Sequence, residues 1–246
     1  MALPLRFVHS IGPVLILLAH VACLLVVVHG LGFLALGWVV ALYLVRMLAI
    51  TAIYHRLITH RSYDAPRPVW WLGCLVAASS AQMGPSWWKA HHLQHHRQVD
   101  IESDPILRLI DRLHWLPPLA LAWLSWSLGG AEWLGAFCLS TTLLFHGVAS
   151  VNSVAHLIGE QPFRTEDASR NNRWVALLTL GEGWHNFHHG FQASARQGYT
   201  VRDGAVRSLP DPTYGFIRLL EILGLASHLR IPAEEAMLAR AADDGR

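Results

Sequence analysis

Two apolar runs stand almost end to end in this 246-residue chain, Ile11–Val28 and Leu31–Ile53, with only a short turn around Gly30 between them. About 20 helical residues cross the hydrocarbon core of a bilayer, so each run is long enough to span it. A chain with this pattern is expected to form a helical hairpin in a membrane. Composition agrees. Charged residues make up 15% and hydrophobic residues 53%, with a mean hydropathy of +0.32, whereas soluble domains carry about 25% charged residues. The first run is not expected to be a cleaved leader. Met1–Ser10 carries a single basic residue, Arg6, no A-x-A-like site follows, and the run leads directly into the second.

A second hairpin is expected at Leu113–Leu128 and Ala131–Val151, turning at Gly129-Gly130. Pro117-Pro118 is compatible with the first turn of a helix. The fold class is therefore an all-α membrane protein, with four transmembrane helices (11–28, 31–53, 113–128 and 131–151) and a cytoplasmic helical cap (55–112 and 156–232). Residues 1–246 read as one integral membrane domain. Val69–Met83, about 15 residues, suits an interfacial or buried helix better than a span. Tyr214–Leu225 is also too short to span, and the charged tail Ala233–Arg246 is expected to be loosely ordered. The turns near Gly30 and Gly129-Gly130 contain no Lys or Arg, while 56–112 and 164–246 hold nearly all of them. The positive-inside bias puts those segments and both termini in the cytoplasm, with a bacterial inner membrane as the expected location. Arg46 lies within the second run, where an ionisable group marks either function or a polar partner across the helix. A net charge of +2 without a basic arm argues against nucleic acid. Cys23, Cys74 and Cys138 are scattered through apolar stretches, which argues against disulfides and thiolate metal sites.

Histidine is the compositional outlier, with 16 residues, accompanied by 11 tryptophans. On this topology His55 and His60, His92, His95 and His96, His156, and His185, His188 and His189 all reach one face of the membrane. His92-x-x-His95-His96 and His185-x-x-His188-His189 place i, i+3 and i+4 on one face of a helix. His55 and His60 are five apart, so the helix is expected to end or turn between them. Asn152 and His156, four apart, point the same way from the last span. Neutral imidazole suits iron, zinc, copper and nickel. So many histidines exceed one tetrahedral zinc, which takes three or four ligands. Two metal ions with open positions fit the number better.

The motifs His55-Arg56-Leu57-Ile58-Thr59-His60-Arg61-Ser62-Tyr63, Trp87-Trp88 ahead of His92-Leu93-Gln94-His95-His96 with Asp104-Pro105, Val151-Asn152-Ser153-Val154-Ala155-His156-Leu157-Ile158-Gly159 and Gly181-Glu182-Gly183-Trp184-His185-Asn186-Phe187-His188-His189 follow in order. Together they make the chain resemble a membrane fatty acyl desaturase of the acyl-CoA (stearoyl-CoA, delta-9) type, with a bacterial-like character, from about Arg46 to Gly198. That resemblance implies nine direct histidine ligands at the positions named, and Asn152 acting through water. It implies two iron ions cycling between Fe2+ and Fe3+, dioxygen as oxidant, and a fatty acyl thioester substrate carried by coenzyme A or acyl-carrier protein. Electrons would come from a separate donor, ferredoxin or cytochrome b5 with its reductase. The sequence carries neither GxGxxG nor CxxCH, in keeping with an external donor.

An acyl chain needs an apolar tunnel. Tyr43 and Met47 share a face of the second span and are candidates for its floor, unless they are ordinary packing. Trp87 and Trp88 are candidates for the entrance, unless they anchor the interface. Arg56, Arg61, Lys89, Arg97, Arg108 and Arg112 could meet the phosphates of a carrier. Ile106 after Asp104-Pro105, and the absence of a tryptophan-rich sequence in Gly198–Asp211, depart from the family pattern and leave the head group open. A hydroxylase or acetylenase of the same di-iron class, acting on an alkyl chain, is the alternative.

Overall fold

A computed structural model describes residues 5–96 and 105–242. The chain divides into two compact units. One is built on the chain up to Ile50 and from Trp71 to His146, the other on Thr51–Trp70 and the chain from Gly147 onward.

The first unit is helical. α1 (Leu5–Ala22) and α2 (Leu24–His29) carry the first apolar run. Gly30, at φ +75°, ends α2 and leads into α3 (Phe33–Leu48). α4 (Arg67–Ala78) is shorter than the apolar run suggested. α5 (Pro85–His95) and α6 (Pro105–Arg112) follow. Gly84 gives α5 no side-chain cap. Instead the Asp111 carboxylate of α6 accepts from the amides of Ser86 (3.0 Å) and Trp87 (3.4 Å). It thereby supplies the acceptor that a capping residue normally would.

α7 (Leu116–Ser153) has 38 residues, with Pro117 and Pro118 in its first turn. Its helical path breaks at Gly129 (φ −160°) and Gly130 (φ +63°), and the latter conformation favours glycine. Leu121 and Ala122, before the break, pack on the same cluster as Phe137 and Cys138 after it, against Ala19 and Leu42. The chain therefore doubles back at the glycine pair. Among the described residues, three helical stretches are long and apolar enough to cross a membrane: Ile11–His29, Phe33–Thr59 and Leu116–His156. Their outer faces carry Val27, Phe33 and Trp123, exposed to 80%, 89% and 71%. Such faces suit lipid rather than water.

Arg46 is almost fully enclosed among these helices. Its guanidinium donates to Leu42 O (3.0 Å), Ser79 O (3.3 Å), Thr141 Oγ1 (2.8 Å) and Ser140 Oγ (2.8 Å), and lies over the Phe137 ring. Of the two readings of this residue, the polar-partner one fits. Arg46 ties α3 to the second arm of α7, with neutral oxygens satisfying most of its donors.

The second unit is built around short elements: α8 (Arg173–Leu178), α9 (His185–Gly190), a hairpin of β1 (Tyr199–Arg202) and β2 (Ala205–Ser208), α10 (Pro212–Ile222) and α11 (Glu234–Ala239). The strands are antiparallel, with Val201 opposite Val206 and Asp203-Gly204 at the turn. This is a small departure from an all-α fold, in the stretch that lacks the family's tryptophans. Asn172 caps α8 by accepting from Trp174 N and Val175 N. Gly183 sits so close to it that a Cβ would lie 2.0 Å from Ala176 N. The glycine is what lets the loop before α9 pass over α8. Phe163, Phe187 and Met237 form a core under α9. The tail was expected to be loose, but α11 is a helix and Met237 is buried in that core.

Candidate metal centre

The first histidine pair sits on a widened helix. His55-x4-His60 was expected to need a helix end, because five residues do not share an α-helical face. Instead α3 continues as a π-helix over Ala49–Thr59. Its i→i+5 hydrogen bonding brings residue five back beneath the first. His60 N donates to His55 O at 3.1 Å, the Thr59 hydroxyl donates to Tyr54 O at 2.7 Å, and the His55 and His60 rings lie 4.8 Å apart. π-helices are rare and concentrate at functional sites.

Within the second unit, six histidines form two triplets. His55, His60 and His188 each offer a ligand nitrogen within 4.8 Å of the others, and so do His156, His185 and His189. In the first triplet Nε2 of His55 lies 3.1 Å from Nε2 of His188. In the second, His185 Nε2 lies 3.1 Å from His156 Nε2 and 3.0 Å from His189 Nε2. α9 supplies His185, His188 and His189, while His156 ends the 3-10 turn Val154–His156 that follows α7.

On the opposite edges of three of these rings, Nδ1 meets a side-chain partner. Nδ1 of His55 pairs with Glu182 Oε2. Nδ1 of His189 pairs with Asp167 Oδ2 at 2.5 Å. The side-chain amide of Gln197 reaches Nδ1 of His188 at 3.1 Å. An ionised carboxylate can only accept, so the Nδ1 of its partner carries the proton and Nε2 keeps its lone pair. In the tautomer with the proton on Nδ1, the Nε2 lone pairs that converge at 3.0–3.1 Å favour a positive ion among them. Histidine ligands on metals are held in this way, with the distal N–H bonded to a carboxylate. The residues present therefore fit a metal ion at each triplet.

The carboxylates are kept ionised. Burial would raise the Asp167 carboxyl, but hydrogen bonds from Ser169 and the nearby His189 overcome it and hold it at about 2. Burial acts in the same direction on Glu182, and His55 and Arg56 outweigh it, leaving that carboxyl below its ordinary value. Arg56, 0% exposed, donates to Glu182 Oε1 (3.0 Å), Asp211 Oδ2 (3.0 Å) and Ala195 O (2.8 Å). Asp211 also accepts from Gln197 N (2.7 Å), Gly198 N (3.2 Å) and Tyr214 N (2.9 Å).

The first unit carries the remaining motif on α5. His92 and His96 bring their Nε2 atoms to 2.9 Å, and His95 and His96 rings lie 5.5 Å apart. Trp88 stacks on His92 (centroids 5.0 Å, 10°), and Trp87 stacks on His91 (3.6 Å, 23°). The tryptophans considered for an entrance thus brace histidine rings. Met47 is fully buried and Tyr43 half-buried on α3. Asn152 is exposed near the end of α7. The helix tightens to 3-10 between it and His156, which removes the shared α-helical face expected of the pair.

Two of the cations assigned to a carrier are unavailable to one. Arg56 is consumed by its two carboxylates and Lys89 is buried at 8% exposure. Arg97 and Asp104 lie outside the described residues. The residues that sequence reasoning missed are Glu182, Asp167, Gln197 and Asp211 as partners of the histidine segments. Glu182 had a signal, an acid three residues before His185. Asp167 and Gln197 had none.

Imidazole nitrogens gathered in threes, in a chain that also has helices long enough to cross a bilayer, define a class: a membrane protein equipped to hold metal on histidine. Comparison with curated proteins gives the family. The chain is 31% identical to an acyl-CoA C20 delta-5 desaturase of Anemone leveillei, covering 75% of this chain and 70% of that one. It is 30% identical to a delta-9 desaturase-like protein of Arabidopsis thaliana, covering 81% and 78%. It is also 30% identical to a probable chloroplastic lipid desaturase of Arabidopsis, covering 79% of this chain but 63% of the relative's length. No family model matches the chain. The chain belongs to the membrane fatty acyl desaturase family.

Proposed function

We propose that this protein is an oxygen-dependent desaturase that introduces a carbon–carbon double bond into a fatty acyl thioester, carried by coenzyme A or acyl-carrier protein, at a di-iron centre. The observation that carries the reading is the gathering of two histidine triplets, with Nε2 atoms of His55 and His188, and of His185 with His156 and His189, at 3.0–3.1 Å, and with Nδ1 of His55 and of His189 held by a carboxylate. The ligands are His55, His60, His92, His95, His96, His156, His185, His188 and His189, with Asn152 acting through water. Bound there, two iron ions would supply the oxidising power that an alkyl C–H bond without an acid–base handle requires, with dioxygen as the oxidant and electrons from an external donor such as ferredoxin or cytochrome b5 with its reductase.

The protein's own part is orientation. Glu182 and Asp167 fix the tautomer and aim of His55 and His189, and raise their basicity as ligands. Trp88 sets the plane of His92. Arg56 holds Glu182 in place behind His55. Tyr43 and Met47 bound the acyl chain, and the four expected spans enclose it. The spans turn at Gly30 and Gly129-Gly130, and the histidine segments share the positively charged side of the membrane.

The test is fatty-acid profiling of a bacterial host expressing the wild type or His188→Ala, with iron measured in the purified proteins. The wild type should yield a new unsaturated acid and bind two iron ions per chain, and the variant should yield none. An alcohol or alkyne as the sole product, or an alkene that survives His188→Ala, overturns the reading.

A further inference from the structure

Three of the outward-facing ring nitrogens have side-chain partners, and one of the three partners differs in kind. Glu182 and Asp167 are carboxylates; Gln197 is a neutral amide. Gln197 is 1% exposed. Its Nε2 lies 3.1 Å from His188 Nδ1, while its Oε1 is buried with no partner among the described residues. In this arrangement the amide donates, so Nδ1 of His188 accepts and the ring's proton sits on Nε2. Yet Nε2 is the atom turned towards Nε2 of His55. A histidine that ligates through Nε2 must carry its proton on Nδ1, and the Gln197 NH2 then faces another donor. A half-turn of the amide removes the conflict. Oε1 then accepts from Nδ1–H, and the NH2 takes the place that the oxygen held. Such a rotation exchanges atoms of nearly the same shape and disturbs no other hydrogen bond of the side chain.

We infer that Gln197 is a positioning residue for His188, accepting from its Nδ1–H through the amide oxygen and turning over when a metal occupies Nε2. This rests on the metal-centre reading above. The residue's backbone is fixed independently, because Gln197 N donates to Asp211 Oδ2 at 2.7 Å. The side chain can therefore turn without the loop moving. The consequence is an asymmetry among the three supported histidines. His188 is supported by a neutral acceptor, His55 and His189 by anions, so His188 is the weaker electron donor of the three.

The sign of one isosteric change tests this. Gln197→Glu keeps the shape and can only accept; Gln197→Leu offers no partner. Purified full-length wild type and both variants are titrated with ferrous iron under anaerobic conditions, and the ferric/ferrous midpoint potential and thermal unfolding are followed. In the Leu variant, affinity for one of the two ions should fall about 10–100-fold, the usual cost of losing such a partner. In the Glu variant it should match or exceed wild type, with the midpoint potential displaced downward. If Glu weakens iron binding as Leu does, His188 Nδ1 is an acceptor and the inference is wrong. If neither variant alters affinity or potential while the wild type binds two ions, Gln197 only fills space, and the inference falls alone. If the wild type binds no iron, the metal-centre reading falls with it.

Discussion

Asp211 stands far from the histidines in the sequence, yet its removal should cost more than that of most residues in the second unit. Its carboxylate is the common acceptor for Arg56 Nη1 and the amides of Gln197, Gly198 and Tyr214. Asp211→Ala would leave a guanidinium that is 0% exposed with only Glu182 and one carbonyl, and would orphan three backbone donors. Breaking a buried ion pair costs about 3–5 kcal/mol. Loss of a helix cap alone is about 1 kcal/mol. The first figure dominates, because the lost ion pair and the orphaned amides share the site and are not additive. For a chain of this size about 1 kcal/mol corresponds to roughly 2–4 °C, so melting in detergent should fall by roughly 6–20 °C. Asp211→Asn keeps an oxygen for part of the network and should lose about half as much. The assay is thermal unfolding followed by near-ultraviolet dichroism, with iron content measured alongside. A melting point for Asp211→Ala within about 2 °C of wild type, corresponding to about 1 kcal/mol or less, would show that Arg56 is satisfied without it and refute the reasoning.

Three further outcomes are expected. Glu182→Gln keeps the shape but removes the charge behind His55 and should weaken iron binding about 10–100-fold; equilibrium dialysis checks this, and unchanged affinity would mean that Arg56 alone positions the ring. Asp167, held at about 2 against an ordinary 3.8, contributes stability that is fully present above its unfolded value and lost as pH falls through about 2. Unfolding of the chelated protein between pH 5 and pH 2 should therefore steepen in the wild type and flatten in Asp167→Asn, and parallel curves would discount the interaction. Met47→Ala should admit longer acyl chains or move the double bond, read by mass spectrometry of the products, and an identical product set would assign Met47 to packing.

What the sequence conveyed, and what it did not, follows from the range of the forces involved. The apolar runs, the turn at Gly30 and the break at Gly129-Gly130 are local, and hydrophobic length with glycine conformation is enough to read them. Histidine spacing at i, i+3 and i+4 is local too, and α9 carries His185, His188 and His189 as that spacing implies. His55 and His60 were read with the wrong helix. Five residues fit a π-turn as well as a helix end, and nothing in Ala49–Thr59 distinguishes the two before the neighbours are packed. The partners Asp167 and Gln197 lie 22 and 9 residues from the histidines they hold. Their loops have no periodicity, so only the folded chain brings them into range. The α11 helix was missed for a related reason: its charged face dominates the composition, and Met237 alone reveals a buried side.

The buried cation explains why ligands from distant segments can be held to within the tolerance that metal binding demands. Arg56 is the residue after His55, so any constraint on Arg56 is a constraint on the π-helix. Glu182 fixes it to the loop three residues before His185, and Ala195 O and Asp211 fix it to the segment that carries Gln197. One guanidinium thus connects the first histidine pair, the third cluster and the amide behind His188, using planar donors whose directions are set by covalent geometry. A lysine there would keep the charge but lose the fork, and a neutral residue would leave Glu182 and Asp211 without the cation they share. A positive charge enclosed this completely is costly to desolvate, and hydrophobic replacements of buried ion pairs are often as stable. Stability alone therefore does not account for it. What the arrangement provides, and an apolar core would not, is a fixed direction for each carboxylate oxygen, and through Glu182 a fixed aim for the His55 ring.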